Sequence, residues 1–181
     1  MDNLKKEKWV IDKTHSQIEF KIKHLMISNV KGNFNEFDAS IITTGSDFKT
    51  AEIDCWINTA SVDTGNADRD KHIIGADFFD AEKYPQIFFI ADTYQMVDGD
   101  GSFELWGDLT IKGIKRKIKL DVEFGGVMKD PWGNEKAGFS INGKINRKDW
   151  DLNWNAALET GGVLVGEEVR ISCEIQLKRA A

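Results

Sequence analysis

The residues of this chain with the most versatile chemistry are three histidines, two cysteines and one dense charged run. His15 precedes Ser16, and Asp68-Arg69-Asp70-Lys71-His72 follows far downstream. Together they could imitate a Ser, His and Asp hydrolase, because such triads are defined by geometry and not by chain order. No GxSxG elbow accompanies them, and a His-Ser pair at a strand start more commonly supplies a cap or turn bond. No catalytic residue is therefore expected. His15, His24 and His72 fall in three separate elements without CxxC or HExxH spacing, so neither a metal nor a cofactor is expected. Gly161-Gly162 with Gly166 lacks the strand-to-helix context of a phosphate loop and reads as a loop before the last strand. Cys55 and Cys173 each lie in an apolar, alternating run, where a free Cys behaves as a small hydrophobe. A reduced pair is expected, with a disulfide left open because sequence gives no distance. Arg69, between two carboxylates, reads first as an internal salt bridge fixing a lid. The sharper reading sets Arg69, Asp70 or His72 against the polar head of a ligand.

The elements that must position these groups are strands. Apolar and polar residues alternate with period two in run after run, the signature of a strand wet on one face. Ile18, Phe20 and Ile22 oppose Glu19, Lys21 and Lys23; Ile53, Cys55 and Ile57 oppose Glu52, Asp54 and Trp56. Phe103, Leu105, Leu109 and Ile111 share a face with Gly107, which would relieve crowding or allow a bend. Ile118, Leu120, Val122 and Phe124 form the cleanest set, and Val169, Ile171, Cys173, Ile175 and Leu177 repeat it. Weaker runs at 34–42, 87–91 and 137–145 bring the count to about eight. Turn chemistry at Asp98-Gly99-Asp100-Gly101 and Asp130-Pro131-Trp132-Gly133-Asn134 implies hairpins and antiparallel neighbours. The segment from about 64 to 85 breaks the alternation. It predicts a short helix capped by Asn66 and running to Ile74, then a second helical turn over 78–83 stopped by Pro85.

Eight strands, each with one apolar face, must close into a barrel or pack as two sheets. The barrel is favoured because no long strand reads as buried on both faces; a filled sandwich is the alternative. At 181 residues, one domain over 1–181 suffices. A formal charge of −6 with both signs interspersed argues against nucleic acid as a partner. The charged opening Met1–Lys8 has no apolar stretch behind its lysines, and no run approaches a membrane-spanning helix, so a cytoplasmic location and no integral membrane span are expected.

Trp9-Val10-Ile11-Asp12 with His15-Ser16, then Val30-Lys31-Gly32-Asn33-Phe34, then Thr64-Gly65-Asn66 leading to Arg69-Asp70 and His72, resemble the YceI-like family. Asp77-Phe78-Phe79-Asp80, Tyr84-Pro85 with Phe89, Gly107-Asp108-Leu109-Thr110-Ile111-Lys112-Gly113, Gly138-Phe139 and Arg147 with Asp149 extend the likeness over nearly the whole chain. Trp150 and Asp151 stand where the family tends to have Phe or Tyr and Gly. The resemblance implies an all-β, extended, antiparallel, eight-stranded lipocalin-like β-barrel. It further implies a polyisoprenoid, isoprenoid quinone or related lipid as ligand, no catalytic residues, and a homodimer.

The inward residues Ile18, Phe20, Ile22, Phe34, Ile57, Phe89, Leu105, Leu109, Leu120, Val122, Phe139 and Ile171, with Phe78 and Phe79 from the irregular segment, are the candidate lining of a ligand cavity. The alternatives are an enzyme or stress-response factor acting on a small apolar substrate through His15, His24 or His72, and a structural barrel with a filled core.

Overall fold

The computed structural model describes residues 5–96, 101–158 and 162–180; Asp98, Gly99 and Asp100 of one expected turn, and Gly161, lie outside them. The strands are β1 (Lys6–Ile11), β2 (Gln17–His24), β3 (Ser28–Phe34), β4 (Phe37–Thr44), β5 (Asp47–Asn58), β6 (Val62–Asp63), β7 (Gln86–Met96), β8 (Ser102–Ile111), β9 (Ile114–Lys129), β10 (Glu135–Asn146) and β11 (Val165–Arg179). The helix is α1 (Ala67–Ile74). Every pairing is antiparallel, and the ring β1-β4-β5-β7-β8-β9-β10-β11 closes where Trp9 of β1 lies opposite Arg179 of β11. The fold is a closed eight-stranded barrel.

The ring is branched. The end of β11, Leu177 to Arg179, pairs with β1, while the stretch before it pairs with β2, from Glu174 opposite Gln17 to Val165 opposite His24. Strands β3 and β6 continue that branch. β1 and β2 thus act as one long strand interrupted by a 3-10 turn over Lys13–His15. The interruption is pinned by Asp12, whose carboxylate accepts from Lys136 Nζ at 2.6 Å, from Thr14 Oγ1 at 2.7 Å and from the Thr14 amide at 3.2 Å, with His15 Nδ1 at 3.0 Å. Lys136 first, then Thr14, hold this carboxyl far below the usual carboxylate range. A folded-state pKa below the unfolded value contributes stability that is complete above the unfolded pKa near 3.9 and is lost as pH falls toward the folded one. Asp12→Asn should cost about 2 kcal/mol at neutral pH, the scale of charge-assisted hydrogen bonds. For this size the melting temperature should fall by roughly 4–8 °C, with a flatter acid limb of the stability curve. An unchanged acid limb in pH-resolved thermal denaturation would show that Asp12 does not carry this linkage.

The expected single strand over 34–42 is two strands. Phe34 and Phe37 are both buried although three apart, so the inward set switches parity across Asn35 and Glu36, where the chain bends. β1 and most of β3 went unread as strands, because Lys6, Glu7 and Lys8 blur the first and Asn29 and Lys31 the second. Gly107 relieves crowding as expected: a Cβ there would sit 2.7 Å from the Ala91 Cβ and the Phe89 ring, where β7 and β8 shift register between Ala91 and Thr93.

Asn66 caps α1 through its side chain, which accepts the Arg69 amide. The helical turn expected over 78–83 is not a helix. Asp80 takes a left-handed φ of 49°, and the chain folds back so that the Phe79 and Ala81 amides donate to the Ile73 and Ile74 carbonyls. Asp151 likewise sits at φ 59°, a left-handed geometry that glycine adopts at least cost.

Two apolar clusters make up the barrel interior. One gathers the residues of the middle and of the end nearest α1. The other, of Trp9, Ile41, Phe48, Ala51, Ala137 and Leu177, lies toward the end carrying the β4–β5 and β9–β10 turns.

Candidate ligand-binding cavity

A cavity of about 590 Å³ runs through the barrel interior. Its body is built from the alternating strands: Ile18, Phe20 and Ile22 of β2, Phe34 of β3, Ile57 of β5, Phe89 of β7, Leu105 and Leu109 of β8, Leu120 and Val122 of β9, Phe139 of β10 and Ile171 of β11 all contribute to its wall. Phe78 and Phe79 join them from the segment after α1. At roughly 30 Å³ per water-sized group, the space holds about twenty chain carbons.

The floor is aromatic. Phe48 and Phe139, 5.0 Å apart between centroids, face the cavity, and Phe124 lies 5.1 Å behind Phe139. Trp9 lies 4.9 Å from Phe48, fully buried, with Nε1 donating to Thr43 Oγ1 at 3.1 Å. Phe48 carried no sequence signal because the strand breaks parity beside it: Phe48 and Ala51 both point inward, close to a register shift between β4 and β5.

The mouth lies beneath α1, and its polar groups are Lys23, His24, Asp68, Arg69, His72 and Arg147. Of the three candidate head contacts, Arg69 and His72 reach the cavity wall and Asp70 does not; Asp68 lies there instead. The Asp70 carboxylate accepts the Thr64 amide at 2.8 Å and the Thr64 hydroxyl at 2.5 Å. Arg69 Nε donates to Thr64 Oγ1 and its Nη2 to the Thr64 carbonyl, both at 2.8 Å. The charged run thus ties the helix to the segment before it through Thr64, and these are the contacts Arg69 makes in place of the expected salt bridge. His72 Nε2 lies 2.9 Å from Asp77 Oδ2, and its ring stands edge-on to Trp154 at 4.7 Å and to Phe78 at 5.1 Å.

Arg147 was readable only as part of the family likeness, yet it holds the rim together. It is 2% exposed, and its guanidinium donates to four carbonyls: Leu152 and Trp154 through Nη1, Gly166 through Nε and Val165 through Nη2, at 2.5–3.3 Å. Trp150, also buried, donates Nε1 to the Leu109 carbonyl at 2.9 Å. These bonds fix the segment that delivers Leu152, Trp154 and Leu164 to the wall.

Cys55 and Cys173 are free thiols on the same wall, as a reduced pair would be. Burial pushes both thiols up to about 12. Only the thiolate is nucleophilic, so alkylation by iodoacetamide at pH 8 should run roughly a thousandfold slower than in the unfolded chain, whose cysteines ionise near 8.5. Equal rates in the folded and urea-unfolded protein, followed by mass spectrometry, would mean that the cavity is wet. Among the described residues, no three His, Cys, Asp or Glu side chains converge as a metal site would require, and no helix is long and apolar enough to cross a membrane.

Known proteins share this architecture. The chain is 38% identical over 169 residues to UPF0312 protein SAS2572 of Staphylococcus aureus, covering 93% of this chain and 95% of that one. The YCEI protein of Campylobacter jejuni superposes with a TM-score of 0.74 at 39% identity, covering 94% of this chain and 96% of that one. Burkholderia cenocepacia BcnA, at 23% identity, and a polyisoprenoid binding domain from Saccharophagus degradans, at 13%, share the fold with TM-scores of 0.76 and 0.66. They cover 92% and 95% of this chain, and each is matched over 98% of its own length. The model of the YceI-like domain matches residues 9–177, and the chain belongs to that family.

Proposed function

We propose that the barrel binds and carries one long apolar chain, of the polyisoprenoid, isoprenoid quinone or related amphiphile class, with its tail in the cavity and its polar head at the mouth near Arg69 and His72. The observation that carries this reading is the cavity itself: a largely hydrocarbon-walled space with Asp68, Arg69 and His72 of α1 at one end. Burying a methylene contributes roughly 0.8 kcal/mol, so about twenty carbons give a gross gain near 16 kcal/mol, against an association cost on the order of 4 to 15 kcal/mol. Five or six carbons would recover only about 4 kcal/mol, so short molecules are selected against. The description of the Saccharophagus degradans domain as polyisoprenoid binding supports the same ligand class. The three histidines do not converge: His15 lies off the cavity wall beside Asp12, His72 lines the wall engaged with Asp77, and His24 lines it from the end of β2.

The test is mass spectrometry of organic extracts from the purified protein, beside an unrelated protein of equal mass from the same host. A stoichiometric prenyl lipid is expected. An extract that stays empty after incubation with prenyl alcohols and quinones would overturn the proposal.

A further inference from the structure

We propose that Phe48 is the depth stop of the cavity and sets the greatest length of chain the barrel can bury, a reading that rests on the carrier function above. The cavity wall includes Phe48 and Phe139 but neither Trp9 nor Phe124, which lie directly behind them. At this end the wall is made by Phe48 with Ile41, Ala51 and Leu177, and the Phe48 ring has the Trp9 indole in contact behind it at 4.9 Å. That indole cannot easily retreat, because it is fully buried and its Nε1 is bonded to Thr43 Oγ1, which itself donates to the Gly45 carbonyl at 2.6 Å. Phe48 is in contact with three other rings, Phe124 at 5.4 Å, Phe139 at 5.0 Å and Trp9, so it is braced from behind and from the side. Close packing of this kind does not yield to a pushing chain end.

The position of Phe48 decides what its removal does. A void left inside a packed cluster is sealed, but a void left at Phe48 joins the cavity. Phe48→Ala removes six ring carbons, room for about one more five-carbon prenyl unit at the same packing density. The floor thus limits length from above, while the cost of association limits it from below.

The experiment titrates the purified protein with farnesol, geranylgeraniol and the next two longer linear prenyl alcohols. In the wild type, affinity should rise with length up to about geranylgeraniol and then level off, because further units stay outside the barrel. In Phe48→Ala the levelling should move one prenyl unit longer, with at least about a tenfold gain for that homologue over the wild type. Phe48→Leu, which keeps more of the packing, should shift it in the same direction if the alanine variant does not fold, and Phe48→Trp should shorten it. A wild type that gains affinity through the longest homologue, or folded variants with an unmoved plateau, would overturn the depth stop. A wild type that binds none of the alcohols would instead overturn the carrier reading.

Discussion

Leu109→Trp combined with Val122→Phe should abolish copurification of lipid and weaken added prenyl alcohol by at least about a hundredfold, while the barrel still folds. Both side chains point into the cavity from paired strands, β8 and β9, and both are buried without being part of the mouth. The added rings occupy space that a chain of about twenty carbons needs. Losing room for even four carbons forfeits roughly 3 kcal/mol of burial, and a blocked path forfeits more. Overpacking a filled core usually costs about 1–3 kcal/mol. Here an existing void of about 590 Å³ receives the new atoms, so the melting temperature should change little. Circular dichroism establishes folding, and extraction with mass spectrometry reads the cargo. A folded double variant that retains the same lipid in equal amount would show that the ligand lies elsewhere.

Arg147→Ala should be the most destabilising single change at the mouth. Four backbone carbonyls take their hydrogen bonds from this one guanidinium, and burial works against its charge, holding its pKa below the ordinary arginine value. Removing it leaves buried acceptors without donors, at a cost of about 3–5 kcal/mol. The melting temperature should fall by roughly 6–20 °C. Arg147→Lys should recover only part of this, because one ammonium cannot reproduce donors fanned out from Nε, Nη1 and Nη2. Hydrogen exchange should rise first in residues 152–158 and 162–164, ahead of the paired strands. An alanine variant that melts with the wild type would mean that water satisfies those carbonyls and that the rim is not held as described.

Much of the barrel was legible because a strand wet on one face writes its orientation into every second residue. Ile118, Leu120 and Val122 needed no partner to be placed, and the structure buries all three. Legibility failed where the backbone breaks its own period. Phe34 to Phe37 skips a residue at a bend, and Phe48 to Ala51 skips one near a register shift, so neither break shows in a simple alternation count. The wall of the cavity was readable for the same reason as the strands, since lining and facing inward are one property. The rim was not. Arginine is almost never fully buried unless paired, so no pattern marks Arg147 as an internal residue. Trp154 lies outside any strand, and its place at the cavity is held by Arg147 on its carbonyl and by the His72 and Phe78 rings beside its own. Asp70 shows the converse: its position in a helix facing the mouth suggested a ligand contact, but its partner Thr64 is local.

Closure of the ring by β1 and β11 also governs when the cavity comes into existence. Trp9 and Arg179 meet across almost the whole chain, and β11 supplies Val165, Val169, Ile171, Cys173, Ile175 and Leu177 to the wall. Without β11 the ring cannot close, and the cavity lacks one side of its wall. Such distant pairings are slow to form, because loop-closure entropy is spent before the contacts return it. The cavity is therefore complete only in the closed barrel, and chains caught before closure expose apolar surface that favours aggregation.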